Sequence, residues 1–310
     1  MGTTKAIRLD YGERGLEVEL PERAVVIEPL HAPGLPDEHG AIADSTRQPI
    51  GSPPLRDLAR GRRRAVVVFS DLTRPVPNAR LLPPILEELH AAGLGPEQIT
   101  LLNATGLHRP NTPAELESML GSELVRAYRV VNHNAWDRDA LAFVGRSPLG
   151  SEIWLNREYV EADLRVTTGF IEPHFFAGFS GGGTSILPGI AGEITVLRNH
   201  DAQRIGHPRA RWGITYGNPI FDENRAAARL VPPDMIVNIA LNRERQITRV
   251  FAGSLEQAHD AVGASFDREV GARVEEVRVP GDEPRGLVVC AFGEGPHASA
   301  RASAPAARRP

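Results

Sequence analysis

The sequence predicts an α/β fold in which helices flank a mainly parallel, Rossmann-like sheet, together with an incomplete second domain. Short apolar runs rich in valine and isoleucine, such as residues 65–69 (AVVVF), have the character of strands buried on both faces. Segments with helical periodicity lie between these runs, as in repeated βαβ units. After residue 293 the chain changes to a segment of Ala, Arg, Pro and Ser, which predicts that the second domain is truncated.

The first half of the chain supplies a small β layer and the first βαβ unit. Residues 5–30 alternate apolar and polar positions and are interrupted by glycine and proline, as short strands are. A helical run that ends before Gly93 then connects two buried strands. The elements predicted here are a helix at 53–60, a strand at 65–69, a helix at 81–92 and a strand at 99–103.

The same alternation continues through the second half. The predicted elements are a helix at 113–120, strands at 128–132 and 164–168, helices at 193–199 and 219–230, a strand pair at 235–241 and 246–251, an amphipathic helix at 255–271 and a strand at 286–292. We therefore expect an α/β catalytic domain over residues 1–272 and the start of a truncated C-terminal domain over 273–293. The tail over 294–310 has no periodicity and is expected to be disordered.

The composition indicates a cytoplasmic protein that acts on a small molecule. The net charge of −4 and the pI near 6.2 come from mixed signs, so the positive field that nucleic-acid binding needs is absent. No apolar run approaches about 18 residues and the start lacks a signal-peptide stretch, so we expect no membrane association. Cys290 is the only cysteine, which fits a reducing compartment and leaves histidines to bind any metal. The oligomeric state has no signature in the sequence.

Four polar segments are candidates for a functional site. They are residues 70–75 (SDLTRP), 106–109 (GLHR), 172–183 (EPHFFAGFSGGG) and 198–200 (RNH). The first three follow predicted strands, and the carboxyl ends of parallel strands form one edge of an open sheet, where ligands bind. We therefore expect side chains from distant parts of the chain to converge there, namely Asp71, Arg74, His108 and His174.

Each of these side chains has a functional and a structural interpretation. Asp71 can accept hydrogen bonds from sugar hydroxyls and Arg74 can bind a carboxylate or phosphate, but the two can equally well pair with each other around a turn. His108 and His174 can each take a proton from an alcohol and return it. The alternatives are a surface position for His108 and a hydrogen-bonded structural role for His174.

The glycine-rich run at residues 178–185 has the character of an anion cradle. Its glycines let backbone N–H groups approach an anion, and Ser180, Thr184 and Ser185 add hydroxyls. The run matches neither a Walker loop nor a dinucleotide fingerprint. His200 is either a metal ligand or a favourable charge near a helix C-terminus. Surface positions are expected for the other histidines, which are His31, His39, His90, His133, His207, His259 and His297.

Taken together and in this order, the four segments resemble the lactate racemase family. The stretches GNPIFDE at 217–223 and VNIALNRERQITRVFAGSLEQAH at 237–259 add to the resemblance, which covers roughly residues 5–290. It implies an N-terminal α/β domain, a smaller C-terminal domain and an active site in the cleft between them. It also implies an isomerase that inverts the α-carbon of a small 2-hydroxy acid by hydride transfer to a nickel-pincer nucleotide.

The resemblance implies a role for each candidate residue. His108 and His174 match the two acid/base histidines, Arg74 matches a substrate-binding arginine, and His200 matches the protein's ligand to nickel. The residues that match cofactor contacts are Asp71, Ser180, Gly181, Gly182, Gly183 and Thr184. In this scheme one histidine removes the hydroxyl proton while the α-hydride leaves, and the other supplies a proton after the hydride returns to the opposite face.

Two departures from the family pattern shape the alternatives. Thr184 stands where the family's type enzyme has a lysine that joins the cofactor covalently, and Lys5 is the only lysine of this chain. We therefore expect either noncovalent retention of the cofactor through its phosphate, its ribose and His200, or no cofactor at all. The change of composition after residue 293 suggests a second hypothesis for the function, a truncated and inactive homologue that binds at most a nucleotide or a hydroxy acid. A third is a histidine-based metal hydrolase, although no carboxylate pattern such as H-E-x-x-H accompanies the histidines.

Overall fold

The computed structural model describes residues 3–9, 15–22, 24, 26–27, 32–266, 288–290 and 302–303. The chain divides into two units, of which the first comprises Met1–Ala32, Thr73–Pro75 and Ser265–Pro310, and the second comprises Pro33–Leu72 and Val76–Ala264. The domain boundaries predicted at residues 272 and 293 lie outside the described residues and stay predictions.

The elements are numbered in chain order. The strands are β1 (Thr4–Leu9), β2 (Leu16–Pro21), β3 (Val26–Ile27), β4 (Ala65–Ser70), β5 (Ile99–Ala104), β6 (Arg129–Asn132), β7 (Leu141–Arg146), β8 (Glu152–Asn156), β9 (Leu164–Phe170), β10 (Pro173–His174), β11 (Gly178–Phe179), β12 (Met235–Leu241), β13 (Ile247–Gly253), β14 (Val288–Cys290) and β15 (Ala302–Ser303). The helices are α1 (Glu38–Arg47), α2 (Leu55–Ala59), α3 (Asn78–Ala91), α4 (Pro113–Leu120), α5 (Ser122–Ala127), α6 (Arg157–Glu161), α7 (Glu193–Asn199), α8 (Ala202–Ile205), α9 (Pro219–Leu230) and α10 (Gln257–Phe266).

The second unit is built on a mixed sheet with mostly parallel strands. Within the described residues this sheet has six strands in the order β13-β12-β9-β4-β5-β6. Every neighbouring pair is parallel except β12 and β13, which pair antiparallel at one edge. The α/β class and the mainly parallel sheet predicted from the sequence are therefore confirmed.

The apolar runs form central strands because both of their faces are covered. Along β4, Ala65, Val67 and Phe69 contribute to one buried cluster with helix α3, whereas Val66 and Val68 contribute to another with helix α9. Side chains alternate between the faces of a strand, so a continuous apolar run fills both layers. All five of these side chains are fully buried.

Several elements were not predicted because their sequence signals are weak. Helix α1 contains Gly40 and has little amphipathic character, and its start is fixed by the Asp37 carboxylate, which accepts from the Gly40 N–H at 2.8 Å. The β7–β8 hairpin and the two-residue strands β10 and β11 were also missed. Helix α3 begins at Asn78, three residues before the predicted start.

In the parts of the first unit that the structure describes, the strands form two small sheets. β1 and β2 pair antiparallel, which confirms a small β layer near the start of the chain. β14 lies between β15 and β3. The rest of the strand predicted at 286–292 and most of the tail predicted to be disordered lie outside the described residues, as do residues 267–271 of the predicted helix 255–271. In the described part of the chain, no helix is long and apolar enough to cross a membrane.

The packing predicts a large difference between two isoleucine positions. Ile85 is fully buried in α3, whereas Ile194 at the start of α7 is 45 % exposed. Ile85→Ala should lower the free energy of unfolding by about 2–5 kcal/mol because it leaves a cavity, whereas Ile194→Ala should change it by less than about 0.5 kcal/mol. Urea titrations of the two variants measure both values, and equal losses would contradict the described core.

Candidate functional site

Three neighbouring strands end at one edge of the main sheet. β4 lies between β9 and β5, and all three are parallel, with Ser70 opposite Ala104. Asp71 directly follows β4, His108 follows β5 by four residues, and His174 follows β9 by four residues. Because adjacent strands are about 4.8 Å apart, the two histidine loops leave the sheet about 10 Å from each other. The in-register strand ends therefore bring a carboxylate and two imidazoles to the same edge.

Asp71 and His108 form a direct hydrogen bond. His108 Nδ1 lies 2.8 Å from Asp71 Oδ2. The Asp71 side chain is 3 % exposed, whereas that of His108 is 48 % exposed. Within the loop, the Gly106 N–H donates to the Gly189 carbonyl at 2.9 Å and the Thr105 hydroxyl donates to the His133 carbonyl at 2.7 Å. The buried Asp71 carboxylate thus orients the exposed His108 ring through its Nδ1 edge.

His174 is held by the backbone that follows it. Its Nδ1 accepts from the Phe176 N–H at 3.2 Å and from the Ala177 N–H at 3.1 Å. The chain turns back so that β11 pairs with β10, with His174 opposite Gly178. Gly178 has φ +79°, and a Cβ there would lie 2.2 Å from the Ile214 carbonyl oxygen, so only glycine fits this turn. The turn therefore fixes the plane of the His174 ring.

The hydroxyls of the glycine-rich loop are directed into the protein. The Ser180 hydroxyl donates to the Phe170 carbonyl at 3.0 Å, and that of Thr184 donates to the Gly181 carbonyl at 2.9 Å. The Ser185 hydroxyl likewise donates to the Thr168 carbonyl at 3.0 Å. In this arrangement the three hydroxyl hydrogens expected to contact an anion are used internally. The N–H groups of Ser180, Gly182 and Thr184 are also bonded within the protein, so an anion at this loop would be bound by other backbone N–H groups.

The glycines of this loop are required by packing. A Cβ at Gly182 would lie 2.5 Å from His259 Cδ2, and one at Gly181 would lie 2.7 Å from Ile171 Cγ1. The Asn238 side chain accepts from the Gly182 N–H at 2.8 Å. From α10, His259 Nε2 lies 3.0 Å from the Ser180 carbonyl oxygen and donates to it. The buried side chains of Asn238 and His259 thus hold the loop through hydrogen bonds to its backbone.

The surface positions expected for His133 and His259 are wrong. They are only 1 % and 5 % exposed, and burial lowers the pKa of both, that of His133 to about 4. His133 Nε2 donates to the Ala191 carbonyl at 3.0 Å. The position of His259 had a signal in the sequence, because it lies three residues before Val262 and therefore on the same apolar stripe of the helix.

His200 lies at the C-terminal end of α7 with one nitrogen engaged. Its Nδ1 is 3.2 Å from the Val196 carbonyl oxygen, to which only a protonated nitrogen can donate, so the lone pair of the neutral ring is on Nε2. Burial lowers the pKa of this imidazole, which favours the neutral form that binds metals. Across residues 32–266 and the shorter described stretches, no group of three or more His, Cys, Asp or Glu side chains could hold a metal ion.

A buried ion pair braces the segment that carries His200. The Arg204 guanidinium donates to the Arg198 carbonyl and, at 3.0 Å, to the Ser151 hydroxyl. It lies 3.5 Å from Glu223 Oε1, and the Glu223 side chain is fully buried. Sequence reasoning did not find this network, since its members come from α7, α8, α9 and the residue before β8. It links α7, α8 and α9 around the His200 backbone.

Arg74 belongs to the first unit with Thr73 and Pro75, and its side chain is exposed. Pairing of Asp71 with Arg74 was one interpretation of the sequence, and the structure shows a bond from Asp71 to His108. The role of Arg74 in substrate binding stays a prediction, as do the roles of the other candidate residues.

Comparison with known proteins identifies the family. Residues 11–213 match the lactate racemase N-terminal domain. The chain belongs to the lactate racemase family. Over 236 residues it is 39 % identical to lactate racemase from Lactiplantibacillus plantarum, covering 76 % of this chain and 55 % of that protein. Over 291 residues it is 36 % identical to lactate racemase from Thermoanaerobacterium thermosaccharolyticum, covering 93 % of this chain and 66 % of that protein.

A solved structure supports the same assignment to the lactate racemase family. The chain is similar to the lactate racemase apoprotein from Thermoanaerobacterium thermosaccharolyticum, with a TM-score of 0.77 and 35 % identity. This similarity covers 86 % of the chain and 63 % of the solved one. The chain thus spans between about half and two thirds of the length of these relatives.

The buried His133 predicts a loss of stability in acid. Its pKa of about 4 lies below the usual 6.5, so the unfolded chain binds a proton first as the pH falls. The contribution is present above pH 6.5 and should fall by about 2 kcal/mol between pH 7 and pH 5. In His133→Gln, which retains a donor for Ala191, this part of the pH dependence should disappear. Urea titrations at both pH values test it, and an unchanged pH dependence would contradict it.

A side chain at Gly182 in the glycine-rich loop should destabilise the protein by colliding with His259, and a control substitution at Gly61 measures the backbone cost alone. Gly182 has φ +52° and a blocked Cβ position, whereas Gly61 has φ +76° and nothing within 4 Å. Gly61→Ala should cost about 1–2 kcal/mol, the cost of the left-handed conformation alone. Gly182→Ala adds the collision with His259 and should cost more, as thermal or urea unfolding would show. Equal costs would mean that His259 does not support the loop.

Proposed function

We propose that the chain inverts the α-carbon of a small 2-hydroxy acid, as a lactate racemase-like isomerase. The single observation that supports this best is the pair of loops that present His108 and His174 at one sheet edge, with Asp71 between them. An alcohol with its oxygen between the two imidazoles can exchange its proton with a side chain on either side. Membership of the lactate racemase family supports the choice of substrate class.

In the proposed reaction, Arg74, His108 and His174 contact the substrate. Arg74 binds the substrate carboxylate through its planar guanidinium. His108 and His174 bind the substrate hydroxyl and take up or return its proton. The Nδ1 atoms of the two rings are engaged by Asp71 and by backbone N–H groups, which orients both rings.

The donor atoms present suit a nickel-pincer nucleotide. The neutral His200 ring with its lone pair on Nε2 suits a metal such as nickel. No protein cluster with three ligands accompanies it in the part of the chain that the structure describes, so a cofactor that brings its own ligands fits better than a bare ion. When bound, the cofactor would supply the acceptor that takes up the α-hydrogen as a hydride and returns it.

We propose that this cofactor is retained without a covalent bond. Thr184 carries a hydroxyl that donates to the Gly181 carbonyl, and it offers no amine for covalent attachment. The residues proposed to hold the nucleotide are Ser180, Gly181, Gly182, Gly183 and Thr184, with the nickel on His200. The N–H groups of Ser180 and Gly182 already donate to Glu172 and Asn238, so backbone N–H contacts to the nucleotide would come from Gly181 and Gly183. Asp71 is a cofactor contact in this scheme only through the carboxylate oxygen that does not bond His108.

The test is to load the protein with the cofactor and assay it with lactate. Protein produced together with the enzymes that make the pincer nucleotide should contain close to one nickel per chain, show the pincer absorption band, and convert D-lactate to the racemate. His200→Ala should lose the nickel, whereas His207→Ala, which changes an exposed histidine nearby, should keep it.

The outcomes of this test distinguish the proposed function from its alternatives. Loss of cofactor after gel filtration in denaturant, with full retention without denaturant, would support noncovalent binding at Thr184. Nickel-free protein, or nickel bound equally well by His200→Ala, would contradict the proposal. That result would favour the second reading, a catalytically inactive homologue that binds at most a nucleotide or a hydroxy acid. Ester hydrolysis with zinc bound would favour the histidine-based hydrolase.

A further inference from the structure

We infer that Asn103 and Asn111 are positioning residues, which hold the loop at residues 104–111, the His108 loop, in place beside Asp71. This inference deepens the proposed function and rests on it. It is supported by a cluster of asparagine side chains that joins the two ends of the His108 loop and ties the loop to the end of β4.

The two ends of the His108 loop are joined by a side-chain hydrogen bond. Asn103 is the penultimate residue of β5, and Asn111 lies three residues after His108. The Asn103 amide donates to Asn111 Oδ1 at 2.8 Å, and both side chains are buried. The loop therefore leaves the sheet and returns to within one side chain of its starting point.

A third asparagine, Asn132, ties the same loop to the neighbouring strand. Asn132 ends β6 and lies opposite Asn103 in the sheet. Its Oδ1 accepts from the Asn103 amide at 2.8 Å and from the Asn111 N–H at 3.2 Å, while its own amide donates to the Asn111 carbonyl at 3.0 Å. Both backbone polar groups of Asn111 are thus bonded to one side chain, which fixes the position and the direction of the loop end.

Asn111 also connects the His108 loop to the residue after Asp71. The Leu72 N–H donates to Asn111 Oδ1 at 3.4 Å, so one amide oxygen joins the end of β4 to the His108 loop. The separation of Asp71 and His108 is therefore set by the backbone as well as by their own hydrogen bond of 2.8 Å. Asparagine side chains are uncharged, so they set this separation without adding a charge that would disturb proton transfer at the pair.

The unpaired oxygen of Asn103 favours a positioning role over a purely stabilising one. Asn103 Oδ1 is buried and has no hydrogen-bond partner among the described residues. Such an oxygen costs stability, and leucine has a similar shape without this cost. If the Asn103 amide were removed, Asn111 Oδ1 would keep the Leu72 N–H. Asn132 Oδ1 would keep the Asn111 N–H, so no new unpaired acceptor would form. The direction of the two Asn103 hydrogen bonds therefore explains this residue better than their contribution to stability.

The variant Asn103→Leu tests the inference, and Thr167→Val is its matched control. Both replace a fully buried polar side chain whose oxygen has no partner in the part of the chain that the structure describes, but Thr167 lies within β9 and its hydroxyl holds no loop there. In urea titrations both variants should have a midpoint equal to or above that of the unaltered chain. A lower midpoint for Asn103→Leu alone would make Asn103 a stabilising residue and would overturn the inference.

Nuclear magnetic resonance of the full chain without cofactor reports the geometry at His108. Ring ¹H–¹⁵N correlations of ¹⁵N-histidine protein are assigned by the loss of signal in His108→Gln, and the displacement in Asp71→Asn gives the scale for a weakened Asp71–His108 bond. We expect Asn103→Leu to displace the His108 signals in the same direction as Asp71→Asn does, and Thr167→Val to leave them in place. Unchanged His108 signals in Asn103→Leu would contradict the positioning role.

A double variant shows whether Asn103 acts through the bond between Asp71 and His108. In the Asp71→Asn background, Asn103→Leu should displace the His108 signals little further, because the bond that it positions is already weakened and the two effects are coupled. A further displacement as large as that in the single variant would mean that Asn103 acts independently of Asp71, and the inference would then be wrong.

Racemisation by the cofactor-loaded variants gives the functional readout. Misplacement of a reacting group by about 1 Å can cost on the order of 10²-fold in rate, so Asn103→Leu should lower kcat by about 10–100-fold and leave KM for lactate close to that of the unaltered chain. Thr167→Val should keep both constants. An unchanged kcat in Asn103→Leu would overturn the inference. If the unaltered loaded chain does not racemise lactate, the proposed function fails, and the urea and resonance experiments still decide the positioning role.

Discussion

The alignment of three parallel strands is the constraint on which the described site depends. β4 and β5 are paired up to Ser70 and Ala104, and β9 runs parallel beside β4, so the residues that follow the three strands leave the sheet at the same edge. The backbone groups freed at these ends are bonded within the loops, as in the turn that places His108 and in the turn that folds back on His174. The buried Asp71 at the central strand end can then reach the neighbouring loop. A register shift of one residue would remove this contact.

The loops that complete the site are supported by buried polar groups rather than by apolar packing alone. Asn238 and His259 hold the glycine-rich loop, and Arg204 with Glu223 braces the backbone near His200. Such groups are costly to bury without partners and directional once they are bonded. They therefore fix backbone positions more sharply than apolar contacts do. We regard them as the reason that a loop rich in glycine keeps one conformation.

The sequence predicted most of the sheet and the arrival of Asp71, His108 and His174 at one sheet edge, because these follow from patterns that repeat. Apolar runs marked β4, β5 and β12, the alternation of elements marked β9, and polar residues after the strands marked the edge. What it could not predict depends on single contacts between distant residues. Asp71 had two interpretations, a ligand contact and a turn paired with Arg74, and neither predicted its hydrogen bond to His108. The inward direction of the Ser180 and Thr184 hydroxyls and the burial of His133 are of the same kind.

The central claim is that the side chains at this edge move the hydroxyl proton while the α-hydrogen is transferred and returned without reaching solvent. Racemisation of unlabelled D-lactate by the cofactor-loaded chain in D₂O measures this most directly, with deuterium at the α-carbon of the L-lactate product determined by mass spectrometry. The account predicts L-lactate that retains its original α-hydrogen. One deuterium per inversion would contradict it, since that result would mean that a histidine removes the proton from carbon rather than from oxygen.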